Sequence, residues 1–333
     1  MKLRKPPAAA VAAIVLCVSA FGVRGTEASE LTEVSYRLKW LFNISVVGDL
    51  YAEAHGFFDR EGLRVTIKPG GPERDAIKEL ELNRAQFGVA SADQVIRAVS
   101  KGSPIVVLCQ LFQTNPLHWI YRPDRTPFES PSDFRGRTVG ITFGGNDEAI
   151  MRALLARYQL NENQLNLYSV RYDYTPFYQG QVDFWPLYLN AQAPIIGGRL
   201  EKAGETFAFV NPADFGIRFV ANSVITSRRM LAEHPDTVRR FMRALLGGWR
   251  AALDPANAER AVEVVLQFNR ETPEAIVRRQ LPVTRELMHP ARGAAAFGTI
   301  DTPAWRQTEA IMLQQKLIPE PVDVTELLLP TLH

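Results

Sequence analysis

The sequence predicts an α/β protein of two lobes, each built on a mostly parallel sheet, with a cleft between them. Three observations carry that expectation. The 333 residues suffice for two domains of ordinary size. Short apolar runs alternate with amphipathic stretches from Val34 onward, the pattern of strands joined by crossover helices. The alternation restarts at Thr138 and gives way to helix after Thr226, as though a second unit were inserted in the first. A composition of 46% hydrophobic and 22% charged residues is that of a folded globular chain.

Residues 1–28 read as a secretory signal: Lys2, Arg4 and Lys5 are basic, residues 8–23 are apolar, and Gly25 and Ala28 are small enough for a cleavage site. The polar break after Val23 ends the run short of the roughly 20 apolar residues of a comfortable span. Leu16 stands before Cys17 where a lipidation site needs a small residue. The net charge of +2 is concentrated in this leader, so the exported remainder is slightly acidic and a nucleic-acid partner is not expected. Export also removes Cys17 and leaves Cys109 alone, which excludes an internal disulfide.

In chain order, residues 34–40 form a strand, and residues 48–57 a short helix stopped by Gly56. Residues 63–68 are a strand, followed by the turn Pro69-Gly70-Gly71-Pro72 and a helix to about residue 82. The strand at 87–90 leads to a helix ending near residue 101. The strand at 105–111 continues the sheet, and residues 119–121 lead outward. After a loop at 122–132 come a strand at 138–142, the turn Phe143-Gly144-Gly145-Asn146 and a helix from Asp147 to about residue 158. Short strands are expected at 167–170, 184–187, 208–210 and 219–225, then helices at 228–233, 235–253, 257–267, 273–280 and 303–316. Lobe one thus takes residues 29–116 and 224–333, and lobe two residues 117–223.

Catalytic signatures are absent. There is no G-x-G-x-x-G, P-loop, G-x-S-x-G or H-E-x-x-H, and His55, His118, His234, His289 and His333 lack metal-ligand spacing. No cofactor, metal or catalytic residue is expected. Carboxylates that meet only in space leave no sequence spacing, so a secreted enzyme using Asp49, Asp147 or Asp183 stands as the alternative to a binding protein.

Ligands of open α/β sheets sit beyond the carboxyl ends of the strands. The loop after the first strand offers Trp40 and Asn43, with Asp49 and Tyr51 in the first turn of the next helix. Trp40 is either a stacking surface for a flat ligand or a core anchor. Ser91, in Gly88-Val89-Ala90-Ser91-Ala92-Asp93, either caps its helix or helps present N–H groups to a ligand. Gly144, Gly145, Asn146 and Asp147 repeat that arrangement in lobe two. Tyr172, Tyr174, Phe177, Tyr178, Phe184, Trp185 and Tyr188 are too many rings for open surface, so they pack a core or wall a cleft. Of these Tyr174, Trp185 and Tyr188 are taken as cleft residues, with Asn190 and Gln192 presenting amides.

These stretches, taken in order, resemble a known family. Tyr36-Arg37-Leu38-Lys39-Trp40, Gly56-Phe57-Phe58, Glu61-Gly62-Leu63 and Ile67-Lys68-Pro69-Gly70-Gly71-Pro72 are similar to the opening of periplasmic solute-binding proteins related to thiamine-pyrimidine synthesis, neighbours of the alkanesulfonate, nitrate and taurine binders. Gly88 to Asp93, Phe134 to Gly140, Gly144-Gly145-Asn146 and Gly180-Gln181-Val182-Asp183 continue the likeness. The resemblance implies a type II periplasmic-binding-protein fold. It implies a monomer that captures a small heteroaromatic metabolite, of pyrimidine or thiamine-precursor kind, and delivers it to the membrane permease of an ABC importer; a ligand-presenting sensor is a further alternative. Pyrimidine binders carry Asn-Glu after the later strand, where this chain has Asn190-Ala191-Gln192, so a protonated aminopyrimidine is in doubt and a neutral ring is favoured. The related eukaryotic enzymes carry a cysteine-rich iron motif that Cys109 alone cannot supply.

Overall fold

The computed structural model describes Met1 and residues 31–71, 73–171, 173–289 and 297–329. The expected leader, with Cys17, and Pro72, Tyr172 and His333 lie outside the described residues. From Leu31 onward the chain is one compact unit.

The first half alternates as its hydrophobic periodicity requires: β1 (Thr32–Arg37), α1 (Val47–Ala54), α2 (Phe57–Arg60), β2 (Leu63–Lys68), α3 (Ala76–Glu81), β3 (Phe87–Ala90), α4 (Ala92–Val99) and β4 (Ile105–Gln110). A second series follows, with β5 (Leu117–Tyr121), β6 (Thr138–Ile141), α5 (Asn146–Arg157), β7 (Asn166–Ser169), α6 (Thr175–Tyr178), β8 (Trp185–Tyr188), α7 (Ala193–Lys202) and β9 (Ala208–Val210). The chain returns through β10 (Ser223–Ser227) to α8 (Arg228–Glu233), α9 (Pro235–Leu253), α10 (Ala258–Phe268), α11 (Glu274–Met288) and α12 (Thr302–Gln314).

One sheet has the order β2-β1-β3-β10-β4. Consecutive residues of its strands enter different cores, because strand side chains alternate between faces. Leu108 and Val224 pack with Phe87, Phe241, Leu245 and Trp249 under α1, α9, α10 and α11. Val107 and Ile225 pack with Ile96, Trp305 and Met312 under α3, α4 and α12. A sheet covered on both faces needs the near-continuous apolar strands seen in β3 and β4, every residue of which is buried. On the α1 side the approach is close: a Cβ on Gly48 would lie 1.9 Å from the Trp249 ring, so only glycine admits this α1–α9 crossing.

The other strands form β8-β5-β9 and β6-β7, joined by a bridge between Val139 and Phe184. Strand pairing is more mixed than the sequence suggested. β1 runs parallel to β2 and β3, and β6 parallel to β7, but β10 is antiparallel to β3 and β4, and β5 antiparallel to β8 and β9. β10 carries the chain back from the second group of strands, entering the sheet at the end where β4 leaves it, and so must run the other way. The outgoing and returning segments are tied together: Leu111 N–H donates to the Asn222 carbonyl at 2.9 Å, and Asn115 Nδ2 to that of Phe219 at 2.9 Å.

Four helices differ from expectation: the short α2 and α6, too brief to leave a helical periodicity, and two longer ones. α11 continues past Gln280 to Met288 through an internal Pro282, because Leu281, Leu287 and Met288 are buried against the core. α7 was not expected at all: its Gly197-Gly198 pair weakens the helical signal, and Gly197 is there because a Cβ would meet the Phe207 ring at 2.7 Å. Among the described residues no helix is long and apolar enough to cross a membrane, and no cluster of metal-ligating side chains occurs.

Candidate ligand-binding cleft

A cavity of about 320 Å3 opens where the carboxyl ends of β1 and β3 face β8 and the turn before α5. On one side lie Lys39, Trp40 and Asn43 from the loop after β1, Arg74 and Asp75 before α3, and Ala90 and Gln94 around the start of α4. On the other lie Thr142 to Asp147, with Pro186, Tyr188 and Gln192, and Asn222 comes from the returning segment. The volume is at the small end of the roughly 300–1,000 Å3 of ligand pockets, which suits a compact molecule.

The Trp40 loop is held by backbone bonds to the turn after β2. Gly70 N–H donates to the Trp40 carbonyl at 2.9 Å, Leu38 N–H to that of Lys68 at 2.9 Å, and the Arg37 guanidinium to that of Pro69 at 2.6 Å. A Cβ on Gly70 would stand 2.1 Å from the Leu38 carbonyl oxygen, so glycine is what lets the two loops lie against each other. Asn43 then closes its own turn by accepting from Ser45 N–H at 2.7 Å.

The opposite wall is the turn into α5. Gly144 takes φ +80°, a left-handed conformation that glycine adopts without penalty. A Cβ on Gly145 would lie 2.5 Å from Asp147 Oδ1, so the second glycine makes room for that carboxylate. Asp147 accepts from Thr142 N–H at 2.5 Å, while Glu148 accepts from Gly144 N–H at 2.6 Å. Burial pushes the Asp147 carboxyl up to about 6, against the opposing pull of the Thr142 N–H and the charge of Lys39. The first-turn N–H groups of α5 add a positive helix end at this wall.

The two walls meet at the Tyr188 hydroxyl. Lys39 Nζ donates to the Tyr188 hydroxyl at 3.3 Å and lies 5.9 Å from the centre of its ring, and Asn146 Nδ2 approaches the same hydroxyl at 3.5 Å. Gln192, one turn beyond, accepts from Tyr188 N–H at 2.9 Å and so fixes the end of β8.

Of the residues expected from sequence, Trp40, Asn43, Gly144, Gly145, Asn146, Asp147, Tyr188 and Gln192 line this cavity together. Six others do not. Asp49, in the first turn of α1, is fully buried and accepts from the Tyr36 hydroxyl at 2.6 Å; burial raises its carboxyl to about 7. Tyr51 packs in the same core with its ring 4.0 Å from that of His55, because the face of α1 that carries it lies against α9 and the core while Glu53 and Ala54 take the exposed side. Ser91 is fully buried and caps α4: its N–H and hydroxyl both donate to Gln94 Oε1. Trp185 is 2% exposed in a core with Phe177 and Ile196, and Tyr174 packs edge-on against it at 6.0 Å. Asn190 is buried and donates to Ser45 Oγ and Thr284 Oγ1, both at 3.1 Å, tying the second strand group to the loop after β1 and to α11.

Sequence reasoning missed Lys39, Arg74, Asp75, Gln94, Phe143 and Asn222 as wall residues. Two carried a usable signal. Lys39 directly precedes Trp40, and Ser91-x-x-Gln94 is a capping-box spacing that brings Gln94 back to the strand end.

A family model described as NMT1/THI5 like matches residues 43–258. The riboflavin-binding protein RibY of Chloroflexus aurantiacus is 25% identical over 313 residues, 89% of this chain and 84% of that protein. The formylaminopyrimidine-binding protein of Halalkalibacterium halodurans is 24% identical over 303 residues, 89% of this chain and 88% of that protein. Among solved structures, the alkanesulfonate-binding protein SsuA from Xanthomonas axonopodis pv. citri bound to MOPS superposes with a TM-score of 0.68 at 17% identity, over 91% of this chain and 100% of that one.

Proposed function

The chain belongs to the NMT1/THI5-like family, and from that premise we propose that it is the periplasmic solute-binding component of an ABC importer. It captures a small heteroaromatic metabolite by closing two lobes on it, residues 29–116 with 224–333 and residues 117–223, and delivers it as a monomer to a membrane permease. The periplasmic-binding fold is shared with solved structures, but a fold alone hosts many chemistries, so the function rests on the site. The observation that carries the reading is the cleft itself. Trp40 and Phe143 stand on opposite walls of a small cavity whose remaining lining is rich in neutral amides and hydroxyls. Such groups orient a ligand without transforming it. Closure follows if a ligand touching both walls binds the closed arrangement better.

A second reading is supported by one observation. Asp147, in the cleft and with its carboxyl raised to about 6, has the profile of an acid–base group in an enzyme. Turnover separates the two. Melting of the mature chain, refolded to strip carried solute, is to be followed against pyrimidines, thiamine precursors, flavins and sulfonates. A ligand at 100 times its Kd adds about 2.7 kcal/mol, a shift of several degrees, and is recovered intact if the protein only binds it. No stabilising compound, or a stabilising compound that is consumed, would refute the solute-binding reading.

A further inference from the structure

We propose that the occupant of the cleft is an acceptor-rich planar ring, one carrying two or more carbonyl or carboxylate oxygens, rather than an amino-substituted or cationic ring. This rests on the solute-binding reading above. The inference comes from how the wall amides are held. A side-chain amide offers an acceptor at one end and donors at the other, and a backbone N–H can bond only the acceptor end. Asn43 accepts from Ser45 N–H at 2.7 Å, Gln94 from Ser91 N–H at 3.2 Å, and Gln192 from Tyr188 N–H at 2.9 Å. Gln94 Oε1 is filled by a second bond, from the Ser91 hydroxyl at 3.1 Å, and the oxygens of Asn43 and Gln192 are turned toward the backbone with one lone pair left each, so what all three offer the cavity in full is the NH2 group. None of those NH2 groups is a buried atom without a partner, which leaves them open to a molecule in the cleft.

Tyr188 adds a donor by the same logic. The Lys39 ammonium only donates, so the phenolic oxygen must accept from it at 3.3 Å, leaving the Tyr188 proton for another partner. Lys39 keeps further N–H bonds of its own.

The wall carboxylates offset little of this. Asp75 Oδ1 is taken by Ile77 N–H at 2.8 Å and Asp147 Oδ2 by Thr142 N–H, and the charge of Lys39 bears on Asp147. Two amide oxygens remain for ring N–H groups: Asn146 turns its Nδ2 to the Tyr188 hydroxyl and keeps its Oδ1, and the Asn222 Oδ1, buried and without a partner among the described residues, lies at the cavity lining. A ring lactam or imide, an N–H flanked by carbonyl oxygens, matches that pattern. An amino-substituted ring would direct its N–H groups at other donors and leave them unpaired, the costly outcome in a desolvated site.

The test is isothermal titration of the refolded mature chain with thymine, orotate and 5-methylcytosine, the last replacing one ring carbonyl of thymine by an amino group. Thymine or orotate is expected to bind at least tenfold more tightly than 5-methylcytosine. Gln192→Glu and Gln94→Glu keep the oxygen that the backbone N–H needs and exchange only the NH2 for a second oxygen. Each is expected to fold, to weaken thymine or orotate binding at least tenfold and to shift the preference toward 5-methylcytosine. Equal or tighter binding of 5-methylcytosine by the unmodified chain overturns the inference while leaving a solute-binding protein in place. Binding of none of the three, or a preference unmoved in both variants, also overturns it. Conversion of a bound probe into product overturns it together with the solute-binding reading.

Discussion

Lys39 and Tyr188, 149 residues apart in the chain, meet across the cleft with Nζ 3.3 Å from the hydroxyl. This contact joins the loop after β1 to the end of β8, and so spans the two walls of the cavity. A charge-assisted hydrogen bond from a remaining Lys39 N–H to a bound solute would contribute about 1.5–3 kcal/mol, which corresponds to roughly 10- to 100-fold in affinity. Lys39→Met is accordingly expected to weaken solute binding by at least tenfold. Because the contact lies in the cleft and not in the core, the variant's melting temperature without ligand should stay within about 2 °C of the parent. Titration calorimetry and a melt on the same sample check both halves.

The two tryptophans singled out by sequence should behave oppositely. Trp40 lines the cavity, whereas Trp185 is 2% exposed within a core. Trp185→Ala should cost about 3–5 kcal/mol of stability, the usual penalty for emptying a buried aromatic site. Trp40→Ala should leave most of the stability in place and weaken ligand binding. Denaturant unfolding beside a binding isotherm separates the two. Equal losses of stability would show that Trp40 is a core anchor.

That contrast shows where the sequence was legible. Most of the strand and helix order could be read because β3, β4 and the long α9 carry clear apolar patterns, and paired glycines marked the turn Phe143-Gly144-Gly145-Asn146. The direction of a side chain was harder to read. Trp185 and Tyr188 lie on one short strand, yet only Tyr188 reaches the cavity. Asp49 follows a loop that forms the cleft, but Gly48 draws α1 so tightly onto Trp249 that the carboxylate is carried into the core. Strand polarity was obscured for a similar reason: whether β10 runs with or against β3 depends on where the returning chain enters the sheet, which no local pattern records.

Asp49 should make stability depend on pH. Burial raises its carboxyl to about 7 in the folded chain, above the ordinary value near 3.8. The folded state then holds the proton more strongly than the unfolded state, so the stability contributed is fully present below about pH 4 and is lost as pH rises through about 7. A tenfold difference in proton affinity between the two states corresponds to about 1.4 kcal/mol, so the effect is on the order of a few kcal/mol. Asp49→Asn keeps an acceptor for the Tyr36 hydroxyl and removes the titration. Relative to the parent, its unfolding free energy should be higher at pH 8 than at pH 5, by urea denaturation at both. A difference independent of pH would show that Asp49 does not titrate in this range.

Gly48→Ala tests the α1–α9 crossing directly. Its Cβ would fall 1.9 Å from the Trp249 ring, well inside contact distance, so the helices must separate. Overpacking of this kind costs about 1–3 kcal/mol, occasionally more. The urea midpoint should fall accordingly, while Gly144→Ala, with open space around its Cβ but φ at +80°, should show the milder cost of a strained turn.

On the solute-binding reading, the cleft holds a solute and gives it back unchanged. Native mass spectrometry of the exported chain, purified without denaturation, tests it most directly. A one-to-one adduct with a small molecule that denaturation releases is expected, and the released compound should bind again to refolded protein and be recovered with its mass unaltered. A chain that carries nothing and rebinds nothing, or one that returns the compound with a different mass, would contradict it.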